Sequence, residues 1–376
     1  MLLFLVGKTN EEITKELGAT HRSTTSHQLR NISSRFGFPP ETEPDYRYNL
    51  VELFVKYQPQ LVSVKALEKC GHIIPPNPPF SGCSEPLNSR FYLERDSVES
   101  RFYTAIQEPG ALIRIKAPKQ MGKTSLLKRV RASARKNAYN TVYLNFSLID
   151  TNKLESENKF LRCFYAYMVN KLPTAPPLQE WDEDTSSMLN CTGQFQSLSK
   201  KINGVLVLVL DEVDILFDYP EIYKNFFPML RNWNENANKS ETWEKLRLVV
   251  AHSTEDYGRL DINQSPFNVG LPIKLEKFTE EQVRNLAVRH GLDSKIIFPI
   301  MSLVGGHLYL VRLAFYYLVR QDVSFEQLLE SATGNVGIYA EHLRRHLEIL
   351  QSNQELGTVF KYIVSSEAFK IERTSR

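Results

Sequence analysis

The eight residues Ala117-Pro-Lys-Gln-Met-Gly-Lys-Thr124 constrain this chain more than any others. An apolar run, Ala111-Leu-Ile-Arg-Ile-Lys116, leads into them, and Ser125-Leu-Leu-Lys-Arg-Val130 continues with helical character. A strand, a tight loop closing on Gly-Lys-Thr and a helix form the arrangement that cradles a nucleoside triphosphate. Backbone N–H groups and the positive helix end would surround the β-phosphate. Lys123 would bridge β- and γ-phosphate oxygens, and Thr124 would offer its hydroxyl to Mg²⁺. The expected contacts are therefore Ala117, Pro118, Lys119, Gln120, Met121, Gly122, Lys123, Thr124 and Ser125. The pattern ordinarily opens with glycine where Ala117 stands. Pro118 presses Ala117 toward extended backbone, which a residue leaving a strand adopts without strain.

Gly-Lys-Thr alone could also begin an ordinary helix, and a second motif separates the two readings. Val205-Leu-Val-Leu-Val-Leu210 is the apolar run of a strand buried on both faces of a parallel sheet. It leads directly into Asp211-Glu-Val-Asp214, 88 residues after Lys123. A carboxylate at the end of a central strand can anchor Mg²⁺ beside the phosphate loop, which assigns Asp211 to the metal. An adjacent carboxylate, Glu212, can orient and deprotonate water. The expected ligands are thus ATP and Mg²⁺, and the expected chemistry is ATP hydrolysis.

Composition is compatible with this and excludes little else. The chain has 376 residues, 42% hydrophobic and 24% charged, enough for two or three domains with a sizeable core. A net charge of +3 over that length is no argument for nucleic acid. Cys70, Cys83, Cys163 and Cys191 are scattered without a Cys-x-x-Cys pair, which suits a reducing compartment. Cys70, His72 and Cys83 do not have the spacing of a zinc site. No apolar stretch reaches membrane-spanning length, and Met1–Val6 lacks the positive lead of a signal peptide. A cytoplasmic protein is expected.

Residues 1–38 read as a small helical module. Thr9 caps a helix with acids in its first turn and apolar residues at Ile13 and Leu17; a second helix runs from Ser23 to Phe36. Gly7-Lys-Thr-Asn-Glu-Glu-Ile13, Leu17-Gly18, Thr24-Thr-Ser-His27 and Arg35-Phe36-Gly37 resemble the LuxR/GerE-type helix-turn-helix. Met1–Val6 is all that stands ahead of this stretch for that family's first helix. The resemblance implies that Arg22, Thr24, Thr25, His27, Gln28 and Arg30 face DNA. Five basic residues (Lys8, Lys15, Arg22, Arg30, Arg35) against three acids give a monomer little hold on phosphates, so protein contact is the competing use.

Residues 39–90 read as a connecting helix, Leu50–Tyr57, and an extended linker containing Pro75, Pro76, Pro78, Pro79 and Pro86. Over 91–277 strands are expected at 112–117, 141–146, 205–210, 247–251 and 272–275. Helices are expected at 97–107, 123–137, 158–171 and 221–234. This alternation specifies a parallel α/β sheet with helices on both faces. From Thr279, which forms a capping box with Gln282, the pattern over 278–376 is helical, with helices to His290 and at 295–304, 307–320, 324–331 and 338–352.

Phe91-Tyr-Leu-Glu-Arg95, Gly110–Thr124, Asp211-Glu-Val-Asp214, Val249-Val-Ala-His-Ser-Thr254, Ser265-Pro-Phe-Asn-Val-Gly270 and Gly305-Gly-His307 together resemble the bacterial AAA-like domain ATPases. These are common in cyanobacteria and related to AAA+ and STAND signalling NTPases. The resemblance covers about residues 85–355 and implies a P-loop ATPase core with a C-terminal helical lid and a partial winged-helix region. It implies that Ser253, or Thr254 beside it, senses the γ-phosphate, and that Arg312 on the lid helix contacts it. The family often has proline after Gly-Gly-His where this chain has Leu308. Arg231 is either a finger toward a neighbour's nucleotide or part of a solvated helix face. The basic run Lys128, Arg129, Arg131, Arg135 and Lys136 reads as the wet face of the helix after the loop. The function implied is an ATP-driven signalling switch, acting as a homo-oligomer or on a signalling partner. An ATP-controlled DNA-binding regulator and an ATP-binding scaffold without turnover are the alternatives.

Overall fold

The computed structural model describes residues 1–19, 21–39, 45–58, 61–70, 78–80, 82, 84–172, 180–253 and 269–365. Two compact units emerge: Cys83–Lys277, and Met1–Gly82 together with Phe278–Arg376.

The chain opens with α1 (Leu2–Leu5), α2 (Asn10–Glu16), α3 (Arg22–Arg35), α4 (Tyr46–Tyr57) and α5 (Val64–Lys69). At the start of α2 the Thr9 hydroxyl accepts from Glu12 N–H while the Glu12 carboxylate accepts from Thr9 N–H, satisfying two helix-end donors at once. Residues ahead of Gly7 form a helical turn because Phe4 and Leu5 are buried. They share a core with Ile13, Leu29, Leu50 and Leu67, and Ser63 N–H donates to the Leu5 carbonyl at 2.8 Å. Residues 1–38 thus have no separate core: α4 and α5, read as connector, complete it, and Val288 joins from the C-terminal helices. Pro75 and Pro76 of the expected linker lie outside the described residues, as do His72 and Cys83.

In the central unit come α6 (Asp96–Ala105), β1 (Leu112–Lys116), α7 (Lys123–Lys136), β2 (Asn140–Asn145) and α8 (Glu157–Lys171). They are followed by α9 (Ser187–Lys201), β3 (Leu206–Asp211), α10 (Pro220–Glu235), α11 (Glu241–Glu244), β4 (Leu246–His252) and β5 (Leu271–Lys274). The five strands form one all-parallel sheet in the order β2-β3-β4-β1-β5. Every residue of β3 and β4 is buried, as apolar runs in the middle of a two-faced sheet must be. Alternate residues (Leu206, Leu208 and Leu210; Leu248 and Val250) enter a core with α8, α9 and α10, where the rings of Phe195, Trp233 and Trp243 stack on one another. On the sheet, α7 contacts β2 and β3, and α6 contacts β5.

α9 has no counterpart in the expected elements. Its Asn190, Gly193 and Ser197 are weak helix formers. The fold recovers the helix through Ser186, which caps it, and through the buried Asn190, whose amide donates to the Asp182 and Thr185 carbonyls.

The C-terminal stretch contains α12 (Glu280–His290), α13 (Ile297–Val304), α14 (Leu308–Arg320), α15 (Phe325–Ser331), α16 (Ala340–Ser352) and α17 (Gln354–Ser365). The Thr279–Gln282 capping box forms, and Gly291 and Gly305 close α12 and α13 with positive φ. Among the described residues this stretch is wholly helical; 366–376 lie outside them. No helix among the described residues is long and apolar enough to cross a membrane.

Candidate functional site

A parallel sheet brings the C-terminal ends of its strands to one edge, and the loops that leave that edge carry the site. β4 lies between β1 and β3, so three segments meet there: the loop after β1, the Asp211–Asp214 turn after β3, and His252–Ser253 at the end of β4.

The loop 117–122 is shaped by two left-handed residues, Gln120 (φ 64°) and Gly122 (φ 91°). Ala117 is not among the positive-φ residues, which explains why alanine serves where glycine is usual. It is fully buried, and its N–H lies 3.5 Å from the His252 carbonyl. Lys119 is exposed and Met121 buried. Gly122 is the N-cap of α7, and no side chain caps that 14-residue helix. An uncapped helix end with its N–H groups turned into a glycine-shaped loop fits a phosphate group. Lys123 is buried, and its ammonium crosses the loop to donate to the Ala117 and Pro118 carbonyls, both at 2.9 Å.

Thr124 and Asp211, 87 residues apart, are joined directly: Thr124 Oγ1 donates to Asp211 Oδ2 at 3.0 Å. Tyr143 Oη on β2 donates to the same oxygen at 3.0 Å, and Glu212 N–H donates to Asp211 Oδ1 at 3.0 Å. Asp211 is fully buried. Burial raises its carboxyl above the usual range, and the two hydroxyls pull it back down. Glu212, half-buried, adopts φ 57° at the sharp turn off β3. Left-handed backbone at a non-glycine residue costs about 1–3 kcal/mol and is concentrated at functional sites.

Asp214 extends the same turn to β4: its Oδ1 accepts from Ser253 N–H at 2.9 Å. Ser253 Oγ is buried and meets no hydrogen-bond partner among the described residues, so an acceptor or donor is wanting there. Thr254 lies outside the described residues. Burial pushes the His252 imidazole down to about 4, so it adds no positive charge beside Lys123 at neutral pH.

Three further residues of the expected set make contacts of their own. Ser125 Oγ accepts from Glu85 N–H at 2.9 Å, so its hydroxyl ties down the chain ahead of the sheet. Arg231 is ion-paired with Glu235 within α10 at 2.7 Å, in keeping with a helix-face role. Arg312 belongs to the helical unit, buried in α14, where desolvation brings its guanidinium down to about 10.

The basic run of α7 is a wet face only at its end, where Arg135 and Lys136 are exposed. Arg129 is buried, stacks on Tyr92 and donates to the Pro86 carbonyl at 2.8 Å; Lys128 donates to the Ser84 carbonyl at 3.2 Å. These residues strap 84–92 onto the helix. Arg95 then reaches the loop itself, donating to the Met121 carbonyl at 3.2 Å beside the strained Gln120. The sequence reading assigned Arg95 no role, although it lies in the Phe91–Arg95 block; Tyr143 carried no signal at all.

A parallel sheet with an uncapped glycine-shaped loop at one strand end and a hydroxyl-bound carboxylate at the next defines a P-loop nucleotide-binding protein. Residues 80–376 match the AAA-like domain family, and the chain belongs to that family. No curated protein matches it. Among solved structures, it is similar to a Walker-type ATPase of Pyrococcus abyssi (15% identity, 71% of this chain and 80% of that one, TM-score 0.43). It is also similar to two Aeropyrum pernix proteins. One is ORC2 in its ADPNP–ADP complexes (16%, 67% and 70%, 0.43) and the other is ORC1 in complex with DNA (14%, 71% and 71%, 0.43).

Proposed function

We propose that this protein is a Mg²⁺-ATP-dependent ATPase that acts as a regulatory switch. The observation that carries this reading is the 3.0 Å bond between Thr124 and Asp211, which assembles a metal-binding hydroxyl and carboxylate from distant motifs beside Lys123. ATP supplies the anhydride bond, and Mg²⁺ supplies charge that offsets its phosphate oxygens. The α7 N-terminus and the Lys123 ammonium bind the β- and γ-phosphoryl oxygens; Thr124 and Asp211 hold the cation. Glu212 accepts the proton of the attacking water, and Ser253 Oγ acts as the γ-phosphate sensor. Arg312 is assigned the lid contact to the γ-phosphate on the strength of the family resemblance.

Asp211→Asn tests the reading. With magnesium present the variant should bind ATP about tenfold more weakly than the parent, the order expected for one charged ligand. In EDTA the two should bind alike. Calorimetry showing the same magnesium enhancement in both proteins would remove Asp211 from the metal.

A second reading makes the N-terminal helices a DNA reader. Arg22, Thr24, His27, Gln28 and Arg30 are exposed along α3, which favours it. Thr25 leaves the set: it is buried, with Oγ1 2.7 Å from Thr14 Oγ1. With so few basic residues, affinity would depend on ATP-driven assembly placing several modules on one duplex. Duplex binding by the full chain should then strengthen with ATP and fall steeply with salt. Indifference to nucleotide, or no binding at low salt with ATP, would assign this surface to protein contact.

A further inference from the structure

The carboxylate of Asp211 has about four acceptor positions, two per oxygen. Two O–H donors, Thr124 Oγ1 and Tyr143 Oη, occupy both positions of Oδ2, each at 3.0 Å. Glu212 N–H takes one position of Oδ1 at 3.0 Å. One acceptor position, on Oδ1, is left. A carboxylate bonded in this way cannot rotate without breaking a hydrogen bond, so the oxygen it presents is fixed.

Thr124 and Glu212 are already part of the two motifs, whereas Tyr143 comes from the neighbouring strand. Register sets it there, since β2 runs parallel to β3 with Tyr143 opposite Val209 and Asn145 opposite Asp211. Its ring is held independently of its hydroxyl. The Arg131 guanidinium of α7 lies 4.4 Å from the ring centroid, and Tyr167 Oη of α8 donates to the Tyr143 carbonyl at 2.8 Å. The phenol is therefore aimed at Asp211 by α7, α8 and the strand register together.

Resting on the magnesium reading of Asp211, we propose that Tyr143 is a positioning residue for the site, whose hydroxyl fixes the orientation of the Asp211 carboxylate. Without the phenol, Oδ2 keeps one donor in place of two, and the carboxylate can turn away from the orientation it holds here.

Tyr143→Phe isolates the hydroxyl, since it keeps the ring that Arg131 covers. Binding of a non-hydrolysable ATP analogue to the full chain would be measured in magnesium and in EDTA for the parent, Tyr143→Phe and Asp211→Asn. The expected result for Tyr143→Phe is a magnesium enhancement about threefold smaller than the parent's, the order for one hydrogen bond. Affinity in EDTA should be unchanged, which a merely structural role would not leave so. An enhancement equal to the parent's would overturn the role of Tyr143. If Asp211→Asn also retained the enhancement, the magnesium reading itself would fail, and the two failures are thereby told apart.

Discussion

Replacing Lys123 by alanine is expected to lower ATP affinity by at least about a hundredfold. Lys123 is buried as a residue, 9% exposed, and its ammonium sits within the loop, 2.9 Å from the Ala117 and Pro118 carbonyls. A charge in so dry a place interacts more strongly with phosphate than a surface lysine does, because little water screens it. Two charge-assisted hydrogen bonds to phosphate oxygens are worth about 3 kcal/mol together at the lower end, which is the hundredfold. Backbone N–H groups at the α7 terminus would remain, leaving weak residual binding and no more. Lys123 also ties the loop to itself, so the melting temperature should be recorded alongside calorimetry to show that the variant is folded. A folded Lys123→Ala protein with parental affinity would refute the phosphate-loop assignment.

The second large effect is expected at Glu212. Changing it to glutamine should slow ATP hydrolysis by about a hundredfold or more while leaving ATP affinity within a few-fold, the scale for losing a general base. The substitution preserves size and the backbone bond from residue 212 N–H to Asp211 Oδ1, so the metal carboxylate keeps its geometry. It also leaves the left-handed turn at φ 57° to a residue of nearly equal shape, so folding should be little altered. What is lost is the carboxylate's capacity to accept a proton. Single-turnover measurement separates this from product release; an unchanged hydrolysis rate there would take the base role away from Glu212. Hydrolysis by the parent and not by the variant would exclude the reading of an ATP-binding scaffold without turnover.

Both predictions concern residues that the sequence made visible, and the reason is physical. Phosphate binding by backbone demands a short loop between strand and helix, so Gly122, Lys123 and Thr124 must be neighbours in the chain. A metal carboxylate at a buried strand end demands an apolar run immediately before it, so Val205–Leu210 announces Asp211. All five strands are legible, with ends that agree with the expected ones to within a residue or two: β3 writes a continuous apolar run, whereas β1 and β2 mix buried with half-buried residues. Helix α9 is not legible because Asn190, Gly193 and Ser197 are weak helix formers, and the buried Asn190 amide that holds it acts through contacts outside the helix.

The sequence by itself therefore determined the order of the five strands and of most helices other than α9, the loop ahead of Lys123 and the acidic turn, since each rests on contacts between near neighbours or on burial patterns along one element. Only the tertiary structure decided who meets whom across the sheet. It put β4 between β1 and β3, gave Asp214 to Ser253 and Tyr143 to Asp211, and turned Lys128 and Arg129 from a solvent face into a clamp on 84–87. It also removed Thr25 from the exposed face of α3 and merged α1 through α5 into one core. These contacts depend on strand register and helix rotation, which are fixed by the packing of the whole unit, and no local stretch of residues encodes them.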